Sequence, residues 1–386
     1  MNDIATNRKR HVFLTGATGA IGSRVLAALL EEPSTTLALL IRDSRTGKQA
    51  TDRLREVFVF LGLDAEDPAL HARMTVISGN LTQPRFGMND NDYQREIRRT
   101  THFIHAAGNV KLNQSLENAR RDAVTTMQEM VDFIKAARPH GIFVKGEYLS
   151  TVGVCGHRDG IVPETPLPDP RHFRNTYEAA KAEAEDRVLS EIQKGLPVTI
   201  HRPSMVVGDS RTGALIHFQV FYYLLEFLLG TRSWGIIPQL GVLRLDTIPV
   251  DYVARAILIS SHDTATIGRI FHLCAGPQHS LLLTAVAQLA RDRARNRGRR
   301  LPTLKPINPR WISLVLPTLS RILPAQLQRE LKSVPFLLSY LQEDQMFDNE
   351  QSTRYFVAQG LSSTTPALYL PRLIDHYLDK KASSLG

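Results

Sequence analysis

The chain has 386 residues, of which 43% are hydrophobic and 22% charged, with a formal net charge of +9. That balance is ordinary for a folded soluble protein of one large domain or two modest ones, and the excess of arginine suits either an anionic ligand or a plain basic surface. Two distant cysteines, Cys155 and Cys274, exclude a disulfide framework, no Cys/His cluster has zinc spacing, and no recognisable nucleic-acid-binding module accompanies the charge.

The opening residues, MNDIATNRKR, are polar and lead straight into a strand, so no signal peptide is expected and the expected location is cytoplasmic. HVFLTGATGAIGSRVLAALL (11–30) reads as strand, glycine turn and helix, and TTLALLIRDS (35–44) as a second buried strand. REVFVFLGL (55–63) has helical periodicity, MTVISGNLT (74–82) and THFIHAAGNV (101–110) are further strands, and 116–137 is a helix. GIFVKGEYLSTVGVCG (141–156) is a fifth strand with its loop. Asn175 is placed to cap the next helix with Glu178 three residues on, and that helix stops near Lys194-Gly195 before a sixth strand, PVTIHRPSMVVG (197–208). Beyond Gly208 come an apolar helical stretch, a strand and helix in LDTIPVDYVARAILISS (245–261), a strand in RIFHLCAG (269–276), and a helix ending in arginines. From Leu301 the chain is punctuated by proline. The longest apolar stretch, ALIHFQVFYYLLEFLLG (214–230), is interrupted by His217, Gln219 and Glu226 and makes no transmembrane span.

Strands alternating with helices at this spacing predict an α/β fold with a doubly wound parallel sheet, which binds ligands beyond the carboxyl ends of its strands. The motifs fall at those ends. TGATGAIG places Gly16, Gly19 and Gly22 between a strand and a helix, where glycine lets the backbone approach a pyrophosphate and the helix N-terminus offers N–H groups. The second strand ends in Arg42, a guanidinium suited to the 2′-phosphate of NADPH, with Arg45 nearby to assist. Asp43 follows, so a simple Arg42–Asp43 pair is the competing reading. Tyr177 and Lys181 lie four apart on one helix face. By itself such a pair is also an ordinary helix surface.

Taken in order, these motifs resemble the extended short-chain dehydrogenase/reductase superfamily over roughly residues 10–275, and most closely its thioester reductase and fatty acyl-CoA reductase domains. TGATGAIG matches the TGxxGxxG turn, HAAGNV the HxAA segment, YLSTVGVCG the strand with the catalytic Ser or Thr, YEAAK the YxxxK pair, and HRPSMVVG the RPxxVxG segment. RPSMVVGDSRTG and LDTIPVDYVARAI are similar to stretches typical of the reductase subgroup. In SGNLT, Asn80 stands where Asp is usual, and Ala123 stands where the helix of residues 116–137 usually has Asn.

The resemblance implies a Rossmann-type domain over residues 8–210, with 240–275 returning to it, and a mainly helical substrate-binding cap from 211–239 and 276–386. It implies that NADPH is held by Thr15, Gly16, Thr18, Gly19, Ala20, Ile21, Gly22, Arg42, Arg45, Asn80, Leu81, Ala106, Ala107, Gly108, Pro203, Ser204 and Met205, together with Tyr177 and Lys181. Tyr177 then protonates the oxyanion formed as hydride reaches a carbonyl carbon, Lys181 lowers the phenol's pKa and binds ribose, and Thr151 holds the carbonyl oxygen, with Ser150 as its alternative. Glu178 reads as a cap, His105 as packing under the cofactor, and Cys155 as no nucleophile.

The implied activity is NADPH-dependent reduction of an acyl thioester, CoA- or carrier-bound, to aldehyde or alcohol. Other readings are a ketone or alcohol oxidoreductase on a hydrophobic small molecule, a sugar-nucleotide epimerase or dehydratase, and a non-catalytic dinucleotide sensor. ALIHFQVFYYLLEFLL and WISLVLPTLSRIL (311–323) offer apolar surface, and Arg291–Lys305 between them reads either as the basic mouth of an acyl tunnel, meeting phosphate or a lipid surface, or as exposed arginines on a cap.

Overall fold

The computed structural model describes residues 9–44, 47–112, 114–231, 235–308 and 345–383. Arg45 and the stretch 311–323 lie outside them. Seven strands form one parallel sheet: β1 (His11–Thr15), β2 (Thr36–Ile41), β3 (Met74–Ser78), β4 (His102–His105), β5 (Lys145–Leu149), β6 (Val198–Pro203) and β7 (Ile270–Leu273). Their order is β7-β6-β5-β4-β1-β2-β3. Every residue of β1 and β6 is buried, as expected of strands covered on both faces by crossover helices. The order reverses at β1, where the chain leaves toward β2 on one side and returns to β4 on the other. This opens a crevice at the carboxyl ends of β1 and β4.

Helices fill both faces. Ala20–Leu30 and Val250–His262 share one core through Val25, Leu29, Val253 and Ile257. On the other face Phe133, from helix Thr126–Ala137, packs on Phe13 and Phe103 with ring centroids 4.8 and 5.2 Å away. The helix expected over 116–137 is not uniform: it loosens into a π-turn at Arg121–Thr125, where Thr126 Oγ1 donates back to Asp122 O at 2.9 Å. Ala123 sits in that turn.

The cap joins three helices, Val220–Leu229, Leu283–Asn296 and Pro366–Ser383. Leu283, Val286, Ala287, Ala290 and Ala294 form the apolar stripe of the second, facing Leu225 and Leu373 of its neighbours. The segment after 276 does not all belong to this cap. Gln345–Phe347 pairs in parallel with Gly160–Val162, and Glu350–Ala358 lies against the sheet, with Phe356 fully buried 4.8 Å from Phe271. A three-residue strand and a short helix lack the periodicity that would mark this return in the sequence.

Candidate functional site

The glycine turn forms a cradle that side chains would fill. Gly16 has φ +82°, and a Cβ there would lie 2.6 Å from Ala107 N. A Cβ on Gly22 would lie 2.0 Å from Gly16 O. Gly19 caps the following helix without a side chain, and Ala20, Ile21 and Gly22 open it with no acidic residue in the first turn. The positive end of the helix dipole is therefore left for an outside anion. Backbone closeness to Ala106 and Ala107 and an uncapped helix suit a dinucleotide pyrophosphate. Gly108 follows at the surface.

At the end of β2 the ambiguity between Arg42 and Asp43 resolves. Asp43 is committed elsewhere: Oδ1 accepts from Ala50 N at 2.8 Å and Oδ2 from Ser78 Oγ at 2.9 Å. Arg42 makes no ion pair among the described residues. Instead Arg53 comes beside it, donating to Arg42 O at 2.5 Å and to Thr18 Oγ1 at 2.9 Å. Burial first, and the Arg42 charge second, push the Arg53 guanidinium below its ordinary pKa. Two like charges held together at this place suit a phosphate. Arg53 was not singled out in the sequence because it lies on the helix Ala50–Leu61, eleven residues from Arg42. The clue available was an arginine on the helix that follows the second strand.

The other expected cofactor positions divide. Asn80 Oδ1 accepts from Thr82 N and Oγ1 at 3.2 and 3.1 Å, which leaves its amide N–H₂ as the group able to meet a ligand. Leu81 packs against the core. Thr15 Oγ1 lies 2.9 Å from His105 Nδ1, and burial pushes His105 down to about 3, so this imidazole is neutral and structural. Pro203 is buried at the end of β6, Ser204 N donates to Leu273 O at 3.0 Å, and Met205 packs toward the cap core.

Thr151, Tyr177 and Lys181 converge at the carboxyl end of β5. Asn175 Oδ1 accepts from Glu178 N at 2.9 Å and starts the helix Thr176–Gln193. The Glu178 carboxylate reaches Arg174 N at 3.0 Å, one residue short of a reciprocal capping box. Thr151 caps the short 3-10 turn Val152–Cys155 that follows β5, with Oγ1 accepting from Gly153 N at 3.2 Å and hydrogen-bonded to the Tyr177 phenol. Ser150 is buried with its hydroxyl unpaired, so Thr151 is the hydroxyl presented to Tyr177. Lys181 Nζ donates to Leu149 O at 2.8 Å and to Tyr148 Oη at 3.1 Å.

The electrostatics correct one expectation. The Tyr177 phenol is pushed up to about 12, by burial first and by the Glu178 charge second, while the Thr151 hydrogen bond pulls the other way. Lys181, turned toward Tyr148, does not lower it. Burial lowers Lys181 itself to about 8 against the opposing charge of Glu185. A phenol that stays protonated at neutral pH is an acid ready to deliver a proton, as reduction requires. Cys155, buried and pushed up to about 12, is a poor thiolate. His201 is held by Glu147 at 2.7 Å, and His272 Nδ1 lies 2.7 Å from Asp348 O.

The arginine segment is mostly spoken for. Arg291 is buried and donates to Leu229 O at 2.8 Å and Pro302 O at 2.6 Å. Arg293 and Arg297 pair with Asp375 at 3.1 and 2.7 Å, and Arg297 also with Asp379 at 2.7 Å. Arg299 donates to Leu378 O at 2.5 Å. These residues fasten one cap helix to another. Arg295, Arg300 and Lys305 stay exposed. Beside them a cavity of about 400 Å³ is lined by Ile237, Leu240, Ala287, Leu301 and Leu304.

The family described as "Male sterility protein" matches residues 14–257, the stretch that carries the glycine turn, Thr151, Tyr177 and Lys181. The chain belongs to this family. It is an NAD(P)-dependent oxidoreductase of the extended short-chain dehydrogenase/reductase type, related to terminal reductase domains. Its similarity to the glycine betaine reductase ATRR of Emericella nidulans is 30% identity over 275 residues, 68% of this chain and 21% of that protein. Its similarity to the fatty acyl-CoA reductase wat of Drosophila melanogaster is 24% over 293 residues, 67% of this chain and 55% of that protein. The chain thus spans less than two thirds of the length of these curated relatives. Among solved structures, the terminal R domain of the myxalamid PKS-NRPS pathway superposes with a TM-score of 0.80 and 26% identity, covering 98% of this chain and 92% of that one. Among the described residues no helix is long and apolar enough to cross a membrane, and no cluster of side chains could hold a metal ion.

Proposed function

We propose that this Male sterility protein family member reduces the carbonyl of a hydrophobic acyl thioester, CoA- or carrier-bound, with NADPH as the cofactor. The observation that carries the reading is the convergence of Thr151, Tyr177 and Lys181 beside the glycine cradle. The names of the relatives support the substrate class, since they include a fatty acyl-CoA reductase and a terminal reductase domain. The reduced nicotinamide, when bound, supplies the hydride.

This chain's own residues do the rest. Gly16, Gly19 and Gly22 with the N–H groups of Ala20 and Ile21 hold the pyrophosphate, and Arg42 with Arg53 holds the 2′-phosphate that separates NADPH from NADH. Thr151 orients the carbonyl oxygen, and Tyr177 delivers a proton to it as negative charge builds there. Lys181, held by Tyr148 Oη and Leu149 O, has its remaining N–H for the ribose.

A panel of acyl-CoAs, aldehydes and ketones, followed by NADPH consumption and product identification, tests the proposal. Turnover of medium- or long-chain thioesters to aldehyde or alcohol is the expected result. Good turnover of a ketone with no turnover of any thioester would overturn it.

A further inference from the structure

Tyr148 is fully enclosed on β5, 1% exposed, within the aromatic and aliphatic core on one face of the sheet. A phenylalanine would fill the same space. The hydroxyl is therefore what needs a reason, because a buried O–H costs free energy unless something bonds to it. Its partner is Lys181, whose Nζ lies 3.1 Å from Oη and 4.6 Å from the ring centroid. The ammonium thus meets both the lone pair and the π face of one side chain. Leu149 O takes a second proton at 2.8 Å. An ammonium has three N–H bonds, so one remains for an outside acceptor such as a ribose hydroxyl.

The ring of Tyr148 is itself held in place. It stacks on His105, with centroids 6.0 Å apart and planes 6° from parallel. His105 in turn bonds to Thr15, the last residue before Gly16. A continuous stack therefore runs from the glycine turn through β4 and β5 to the helix bearing Lys181. The ionisable groups facing Lys181 are His105 from β4, Tyr148 from β5 and Glu185 from its own helix. Of these, Glu185 is bound to Arg202 of β6 at 2.5 Å and His105 is neutral. Tyr148 is the one that bonds to the ammonium.

We infer that Tyr148 is a positioning residue for the reaction, its hydroxyl and ring fixing the Lys181 ammonium so that its remaining N–H is left for the cofactor. This rests on the reading that Lys181 serves the chemistry. Tyr148 touches neither substrate nor reacting atoms; it acts through Lys181.

The test uses the full chain with Tyr148→Phe, Lys181→Arg and the double variant, on whichever substrate turns over best. For Tyr148→Phe, kcat is expected to fall about tenfold, the scale of one hydrogen bond to a charged group, with KM for the carbonyl substrate unchanged. The alkaline limb of kcat/KM moves to lower pH, because the ammonium loses an acceptor that favours its charged form. The double variant falls less than the product of the two single losses. Wild-type kcat and an unmoved pH profile in Tyr148→Phe would overturn the inference, as would strictly multiplicative losses or a rate loss matched by unfolding with no change in the pH profile. Lys181→Ala in parallel separates the two levels. Full activity in that variant refutes the catalytic reading of the site. Loss of activity there, with Tyr148→Phe unaffected, refutes only the role of Tyr148.

Discussion

Two arginine-bearing regions of this molecule contribute to the same net charge and behave in opposite ways. In the cap, Arg291, Arg293, Arg297 and Arg299 are tied to carbonyl oxygens or to Asp375 and Asp379 of a neighbouring helix. At the end of β2, Arg42 has no ion pair among the described residues and Arg53 stands beside it. Density of charge in the sequence drew attention to the first region, where these four arginines are already matched, while Arg42 in the second is not. What distinguishes a ligand site from a structural clasp is whether the protein has already supplied the counter-charge.

The comparison separates substitutions that change kinetics from those that change stability. The largest kinetic effect belongs to the carboxyl edge of the sheet: Tyr177→Phe is expected to lower kcat about a thousandfold, the scale of general acid catalysis, with an unchanged melting temperature. Steady-state rates and thermal unfolding check it. In the cap, Arg291→Met leaves two carbonyls without a donor and is expected to cost about 3 kcal/mol in urea unfolding, with KM for NADPH unaltered. A raised KM there would break the division. Arg42→Ala is expected to raise KM for NADPH about tenfold and leave that for NADH in place, since it removes a partner of the phosphate alone. Titrating Lys181 gives a comparable change. Its ammonium is lowered to about 8, the charged form is the one below that pH, and kcat/KM in the reductive direction is expected to be level up to pH 8 and to fall above it. A pH–rate profile reads the limb directly. The smallest effect is Arg297→Ala, which breaks partly exposed pairs and is expected to cost about 0.5 kcal/mol without kinetic consequence.

The site was legible where its chemistry is local. A strand, three glycines and a helix lie within twenty residues, and Asn175 caps the helix whose first two turns carry Tyr177 and Lys181, so each motif could be read without knowing the tertiary structure. What escaped depends on distance along the chain. Lys181 meets Tyr148 from thirty-three residues away, a partner that spacing on its own helix does not show, and the burial that raises the Tyr177 phenol exists only once the chain is folded. Arg53 becomes relevant only once its helix folds back over β2. Glu178 shows the same limit on a finer scale: the cap was readable, while its reach to Arg174 instead of Asn175 was set by geometry that spacing alone does not carry.

The late strand Gln345–Phe347 carries a consequence for how such a protein is made. Gln345 Nε2 donates to Gly156 O and Arg158 O at 3.0 Å each, and its Oε1 accepts from Arg174 at 3.0 Å. The loop that leaves Thr151 and leads to Tyr177 is thus closed by a residue almost two hundred positions later. During synthesis the glycine turn can form early, while the loop between Thr151 and Tyr177 gains this clasp only after Gln345 has left the ribosome. A chain cut short of Gln345 would keep its glycine turn and leave that loop unclasped.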